Sequence, residues 1–135
     1  MDIDVHENAE LDLDELWNAD PHAAAAIDVA LDEICGDAEV IKHLTGRGDV
    51  KIGTQQLNIK GWVSARRRDS NLARIQVLDT PATRYRIVFG YHWRIRKLVI
   101  LAIVHKEDLT YDNLNSEIAK RILADWREFT GGEAT

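Results

Sequence analysis

The chain has a single cysteine, so no disulfide can close within it, and Cys35, between Ile34 and Gly36 at the end of an apolar-periodic segment, reads as a packed structural thiol. No apolar run approaches the ~20 residues that a membrane span needs; the longest, LVILAIV, covers residues 98–104. The opening MDIDVHENAE is acidic where a secretory leader would be basic and then apolar. A cytoplasmic protein without membrane contact is expected. His6, His22 and His43 stand far apart, and neither CxxC nor HxxxH spacing occurs, so no metal and no other cofactor is expected. A Walker loop, a GxGxxG turn and a GxSxG elbow are also missing. With only two prolines, few points interrupt the chain, and apart from the AAAA run at 23–26 there is neither a repeat nor low complexity.

What is present is a strongly segregated charge. Residues 1–50 hold 14 Asp/Glu against 2 Lys/Arg, residues 51–106 hold 2 against 12, and residues 107–135 hold 7 against 3, so the formal net charge of -6 conceals a basic middle. Arg66, Arg67, Arg68, Arg74, Arg84, Arg86, Arg94, Arg96, Lys97 and Lys106 could form one cationic face, the electrostatic footprint of a surface that meets phosphates. The competing reading is a set of solvated strand and loop ends.

At 135 residues, with 45% apolar and 30% charged residues, the chain fits one globular domain. Residues 1–5 alternate as a short edge strand would. Leu13, Leu16 and Trp17 then follow a helical period until Asn18-Ala19-Asp20-Pro21, where Asp20 is placed to cap a second helix carrying Ala23, Ile27, Leu31 and Ile34 on one face. Gly36-Asp37 breaks that helix, a further turn through Val40, Ile41 and Leu44 follows, and Gly46-Arg47-Gly48 marks a loop. Beyond it the period shifts toward two. Strands are expected near residues 72–78, 85–93 and 98–105, forming two hairpins, with the last strand buried on both faces. Residues 51–71 are expected as an inserted arm, or as one strand before the basic SARRRDS loop. Ile118, Ile122 and Trp126 mark a C-terminal helix, and residues 130–135 a disordered tail. The predicted class is α+β: an N-terminal helical hairpin packed on a small, mainly antiparallel sheet, with a C-terminal helix.

The segments HENAELDLDELWNADPHAAAAIDVALDEI (6–34), LARIQVLDTPATRYRIVF (72–89), ILAIVHKEDLTYD (100–112) and EIAKRIL (117–123) follow in the order and spacing of a known family. In that combination the chain resembles the RelE/ParE superfamily of toxins from bacterial type II toxin-antitoxin modules, and its RelE/HigB-like ribonuclease branch in particular. The resemblance implies a ribosome-dependent messenger-RNA endoribonuclease that works without a metal, driving the 2'-hydroxyl onto the adjacent phosphate, and a cognate antitoxin protein as partner. Matched to the family, the catalytic residues would be Arg74 and Arg86 as phosphate clamps, Lys106 as a point charge, His105 as acid or base, and Tyr111 for stacking or proton transfer. The RNA-binding residues would be Arg66, Arg67, Arg68, Arg84, Arg94, Arg96 and Lys97. Alternation along a strand would put His105 and Lys106 on opposite faces unless the strand ends or bulges there. Glu107 and Asp108 follow directly, where carboxylates would oppose phosphate binding. Two other readings stay open: a ParE-like inhibitor of DNA gyrase, which shares the fold and needs no acid-base group, and a degenerate domain that binds only its antitoxin.

Overall fold

Asp20 and Pro21 set the first angle of the fold. Pro21 has no N–H to leave unpaired at a helix start, and the Asp20 carboxylate accepts the Ala23 N–H at 3.2 Å, so two helices meet across one residue. In the computed structural model, which describes residues 3–46 and 48–135, the elements are β1 (Ile3–Val5), α1 (Glu7–Ala19), α2 (Pro21–Cys35), α3 (Val40–Leu44), β2 (Gly48–Ile52), β3 (Gln55–Gly61), α4 (Val63–Arg66), β4 (Leu72–Val77), β5 (Tyr85–His92), β6 (Lys97–His105) and α5 (Glu117–Thr130). The class is α+β. Met1 and Asp2 of the expected edge strand and Arg47 of the expected loop lie outside the described residues.

The strands form one six-stranded sheet in the order β1-β6-β5-β4-β3-β2. β1 runs parallel to β6, with Ile3 beside Leu98, and every other pair is antiparallel. One face is covered by α1, α2 and α3: Ile27, Ile34 and Leu44 pack with Leu57, Ile59, Ile75, Ile87, Phe89 and Ile100. On the other face α5 covers β5 and β6, where Ile122, Leu123 and Trp126 pack with Trp62, Val88, Val99 and Leu101. Gly90 makes that close packing feasible, because a Cβ there would lie 2.6 Å from the Trp126 ring. Over β2, β3 and β4 this second face carries polar side chains instead, since Asp49, Asn58, Lys60, Arg74 and Gln76 alternate with the buried Leu57, Ile59, Ile75 and Val77.

A bulge in β6 decides which face each of its last residues serves. Val88 pairs with Ala102 but Phe89 pairs with Ile100, which leaves Leu101 as an extra residue. Leu98 and Ile100 face the helical layer before the bulge, and Ile103 does so after it. Without the extra residue the even positions would continue on that side and the two faces of residues 103–106 would be exchanged.

Residues 51–71 are not a separate arm. Together with Gly48, Asp49 and Val50 they form a β-hairpin that widens the sheet by two strands, followed by α4. Leu57 and Ile59 are buried against the helices, and Glu33 of α2 accepts the Thr54 hydroxyl at 2.8 Å and its N–H at 3.2 Å, fixing the Gly53-Thr54 turn. The expected disordered tail is also ordered. Gly131, at φ 65°, ends α5, and the returning chain places the Thr135 hydroxyl oxygen 3.2 Å from Trp126 Nε1, while the Thr135 N–H donates to the Asp69 carbonyl at 2.9 Å.

Candidate functional site

Where α5 leaves the second face uncovered, a cleft of about 610 Å³ opens between the sheet, α4 and the loop after β6. Lys60 of β3, Arg74 of β4, Arg86 of β5 and Lys106 just past β6 line it, together with Ser64, Thr110, Tyr111 and Asp112. The register explains the convergence. Lys60 lies directly opposite Arg74, Arg74 opposite Val88, and Arg86 opposite Val104, so three neighbouring strands each send one cation to the same side. Lys106 joins them because the bulge at Leu101 resets the alternation, and its N–H donates to the Arg84 carbonyl at 2.8 Å.

Both arginines are held by neutral oxygens. Arg74 Nη1 donates to the backbone carbonyl of Asn58 at 3.1 Å and to its side-chain Oδ1 at 3.0 Å. Arg86 Nη1 donates to the carbonyls of Thr83 at 2.9 Å and Tyr85 at 3.0 Å. Among the described residues, none of the four cations has a carboxylate within ion-pairing distance. Burial pulls the Arg74 guanidinium below its usual range and Arg86 adds to this, but a guanidinium stays charged at neutral pH. A concave surface that gathers four cations and one carboxylate, with few internal partners for the cations, suits an anionic ligand.

Tyr111 closes one side. Trp62, which is buried, donates from Nε1 to the Tyr111 carbonyl at 2.7 Å, and the two rings meet edge to face at 5.4 Å, which anchors the loop on the sheet. The Tyr111 hydroxyl is buried and has no hydrogen-bond partner among the described residues. Burial pushes its pKa above the usual tyrosine range, while the charges of Arg74 and Arg86 pull the other way. The phenol is therefore neutral at physiological pH, a donor awaiting an acceptor.

Of the residues singled out as catalytic from sequence, the structure brings together Arg74, Arg86, Lys106 and Tyr111. It does not bring His105. That imidazole lies on the helical side of the sheet, in a separate groove with Tyr85, Asp12, Glu15 and Arg121, its ring edge-to-face with Tyr85 at 5.2 Å and its Nδ1 accepting the Glu107 N–H at 3.1 Å. Asp108 lines the same groove and not the cleft.

The expected single cationic face is likewise divided. Arg67 and Arg68 line a shallow groove that shares Ser64 and Asp112 with the cleft and so adjoins it. Arg66 bonds Asn71 Oδ1 at 2.9 Å and lines a groove with Tyr91 and Trp93. Arg84 is exposed and is not among the residues that line the cleft, though its carbonyl accepts the Lys106 N–H. Arg94, Arg96 and Lys97 sit at the β5–β6 turn, at the far end of these strands from Arg86 and Lys106; Arg94 pairs with Glu133 at 2.9 Å and Lys97 with Asp4 at 2.9 Å. Sequence reasoning missed Lys60. The alternation of Leu57 and Ile59 with Asn58 and Lys60 is the signal that would have placed it on the open face.

Among the described residues no group of three or more His, Cys, Asp or Glu could hold a metal ion, and no helix is long and apolar enough to cross a membrane. Comparison with known proteins finds no matching family model, no similar curated protein and no similar solved structure.

Proposed function

We propose that the cleft binds the phosphodiester backbone of RNA, and that the chain is a RelE/ParE-like toxin: a ribosome-dependent, cytoplasmic messenger-RNA endoribonuclease restrained by an antitoxin that covers this cleft. The observation that carries the reading is the convergence of Lys60, Arg74, Arg86 and Lys106 in one cleft that Tyr111 also lines, its hydroxyl without a partner among the described residues. The 2'-oxygen attacks phosphorus, a 2',3'-cyclic phosphate forms, and the bond to the 5'-oxygen breaks. The two guanidiniums hold the non-bridging oxygens, whose charge grows in the phosphorane, and the lysines add point charge. The same cations stabilise the 2'-oxyanion, whose proton passes to water in the open cleft. Tyr111, which lines the cleft and is kept protonated by burial, turns its hydroxyl to the departing 5'-oxygen, gives it a proton and recovers one from water as the product leaves. His105 has no part in these steps.

A binding-only function is the second reading, favoured by one observation: among the described residues, those that line the cleft include no imidazole and a single carboxylate, Asp112. A gyrase-inhibiting toxin or a domain that only binds its antitoxin would fit such a surface. Inducible expression of the chain alone in bacteria, with pulse labelling of protein and DNA synthesis, separates the cases. Early loss of translation with cut messenger RNA is the expected result. Early loss of DNA synthesis identifies the gyrase reading, and unimpaired growth the antitoxin-binding one.

A further inference from the structure

Asp49, Asn58 and Arg74 form a chain of hydrogen bonds that runs from the edge of the sheet into the cleft. The Asn58 amide donates from Nδ2 to Asp49 Oδ1 at 2.9 Å and accepts at Oδ1 from Arg74 Nη1 at 3.0 Å. A carboxylate can only accept, so Asp49 selects the amide nitrogen and turns the Asn58 oxygen toward Arg74. Register places the three on adjacent strands, with Asp49 opposite Asn58 in the β2–β3 hairpin and Lys60 opposite Arg74 across β3 and β4.

Arg74 needs such a hold. Lys60, facing it across the strands, repels it, and no carboxylate lies beside it among the described residues; the Asn58 carbonyl holds Nη1 by one bond, about which a long side chain can still turn, and the amide adds the second that fixes its direction. A direct ion pair would also orient the guanidinium but would neutralise the charge that an anion must find. An amide interposed between Asp49 and Arg74 orients without neutralising, and because only Nη1 is engaged, Nε and Nη2 stay available for two phosphate oxygens.

We infer that Asn58, with its amide fixed by Asp49, is a positioning residue that aims Arg74 at one RNA phosphate, an inference that rests on the RNA-binding reading of the cleft. The β2–β3 hairpin is then part of the site, supplying Lys60 directly and the aim of Arg74 indirectly.

The test is binding of a short single-stranded oligoribonucleotide carrying 2'-O-methyl groups, which cannot be cleaved, to the full chain and its variants over a series of salt concentrations. For single strands the slope of log affinity against log salt falls by about 0.7 for each phosphate that the protein ceases to neutralise. Arg74→Ala is expected to weaken binding about tenfold and to lower the slope by that amount. Asn58→Ala should reproduce both changes while its thermal midpoint stays near that of the unsubstituted chain. Asn58→Asp, which places a carboxylate on Arg74, should do so as well, and the exposed Asp49→Ala gives the same direction if Asn58→Ala folds poorly. A folded Asn58→Ala and Asp49→Ala with unchanged slope, beside an Arg74→Ala whose slope drops by one phosphate, would overturn the positioning role and leave the RNA reading intact. An unchanged Arg74→Ala would remove the RNA reading at that residue and the inference with it.

Discussion

Lys60 and Arg74 face each other in register across β3 and β4, and neither has a carboxylate partner among the described residues. Two like charges opposed on adjacent strands cost stability, by roughly 0.2–1 kcal/mol in exposed sheet positions. A fold that keeps such a pair gives up stability for a concentration of positive charge. Lys60→Gln is therefore expected to raise the denaturation midpoint slightly while weakening binding to single-stranded RNA. Denaturant unfolding and a binding titration check the two signs, and a variant that loses both stability and affinity would contradict this relationship between the pair.

Tyr111→Phe tests the same trade at the other side of the cleft. A buried hydroxyl without a partner costs about 1–3 kcal/mol, and Tyr111 has none among the described residues, so its removal is expected to leave stability unchanged or increased. The rate of RNA cleavage should fall sharply, because the donor to the 5'-oxygen is gone. Since burial raises the phenol's pKa, its neutral form persists beyond the ordinary tyrosine value near ~10, and the native rate should show no loss assignable to Tyr111 below that pH. Stability follows the same sign: a pKa raised in the folded state contributes stability in full below the unfolded-state value, and that contribution is lost as the pH rises through the folded-state value.

His105→Ala should leave RNA binding and cleavage unchanged. The imidazole packs on Tyr85 and accepts one backbone N–H on the helical side of the sheet, so its loss is expected to cost about 1 kcal/mol of stability. A well-folded variant that no longer cleaves RNA would put the histidine back into the mechanism.

Most of the fold was legible in local chemistry. Asp20-Pro21 marks a helix boundary because capping and a missing N–H are properties of those two residues, and β4, β5 and β6 lie within two residues of the stretches expected from alternation. The β2–β3 hairpin was read only as an inserted arm or one strand, because its outward positions, Gln56, Asn58 and Lys60, resemble those of a polar loop. The site was legible only in part. Arg74, Arg86, Lys106 and Tyr111 do share a cleft, but the extra residue at Leu101 has no sequence signature, and it is this residue that sends Lys106 rather than His105 to the cleft side. The basic segment also does not stay together. Arg94 and Lys97 end at the opposite turn, where Glu133 and Asp4 pair with them.

Gly90→Ala examines how α5 limits the cleft. A methyl group 2.6 Å from the Trp126 ring cannot be accommodated unless the ring or its helix shifts, and overpacking of this kind costs about 1–3 kcal/mol. A lowered thermal midpoint with a changed near-ultraviolet tryptophan signal is expected. Native stability in this variant would mean that Trp126 is not seated on β5.

The central claim, RNA cleavage by the cationic cleft, is tested most directly by adding the purified chain to a translating ribosome system and mapping the messenger-RNA ends. Cuts whose upstream fragments end in a 2',3'-cyclic phosphate or its hydrolysis product are expected, as is their disappearance in Arg74→Ala and Arg86→Ala. Messenger RNA that stays intact with the native chain, or is cut equally well by both arginine variants, would contradict it.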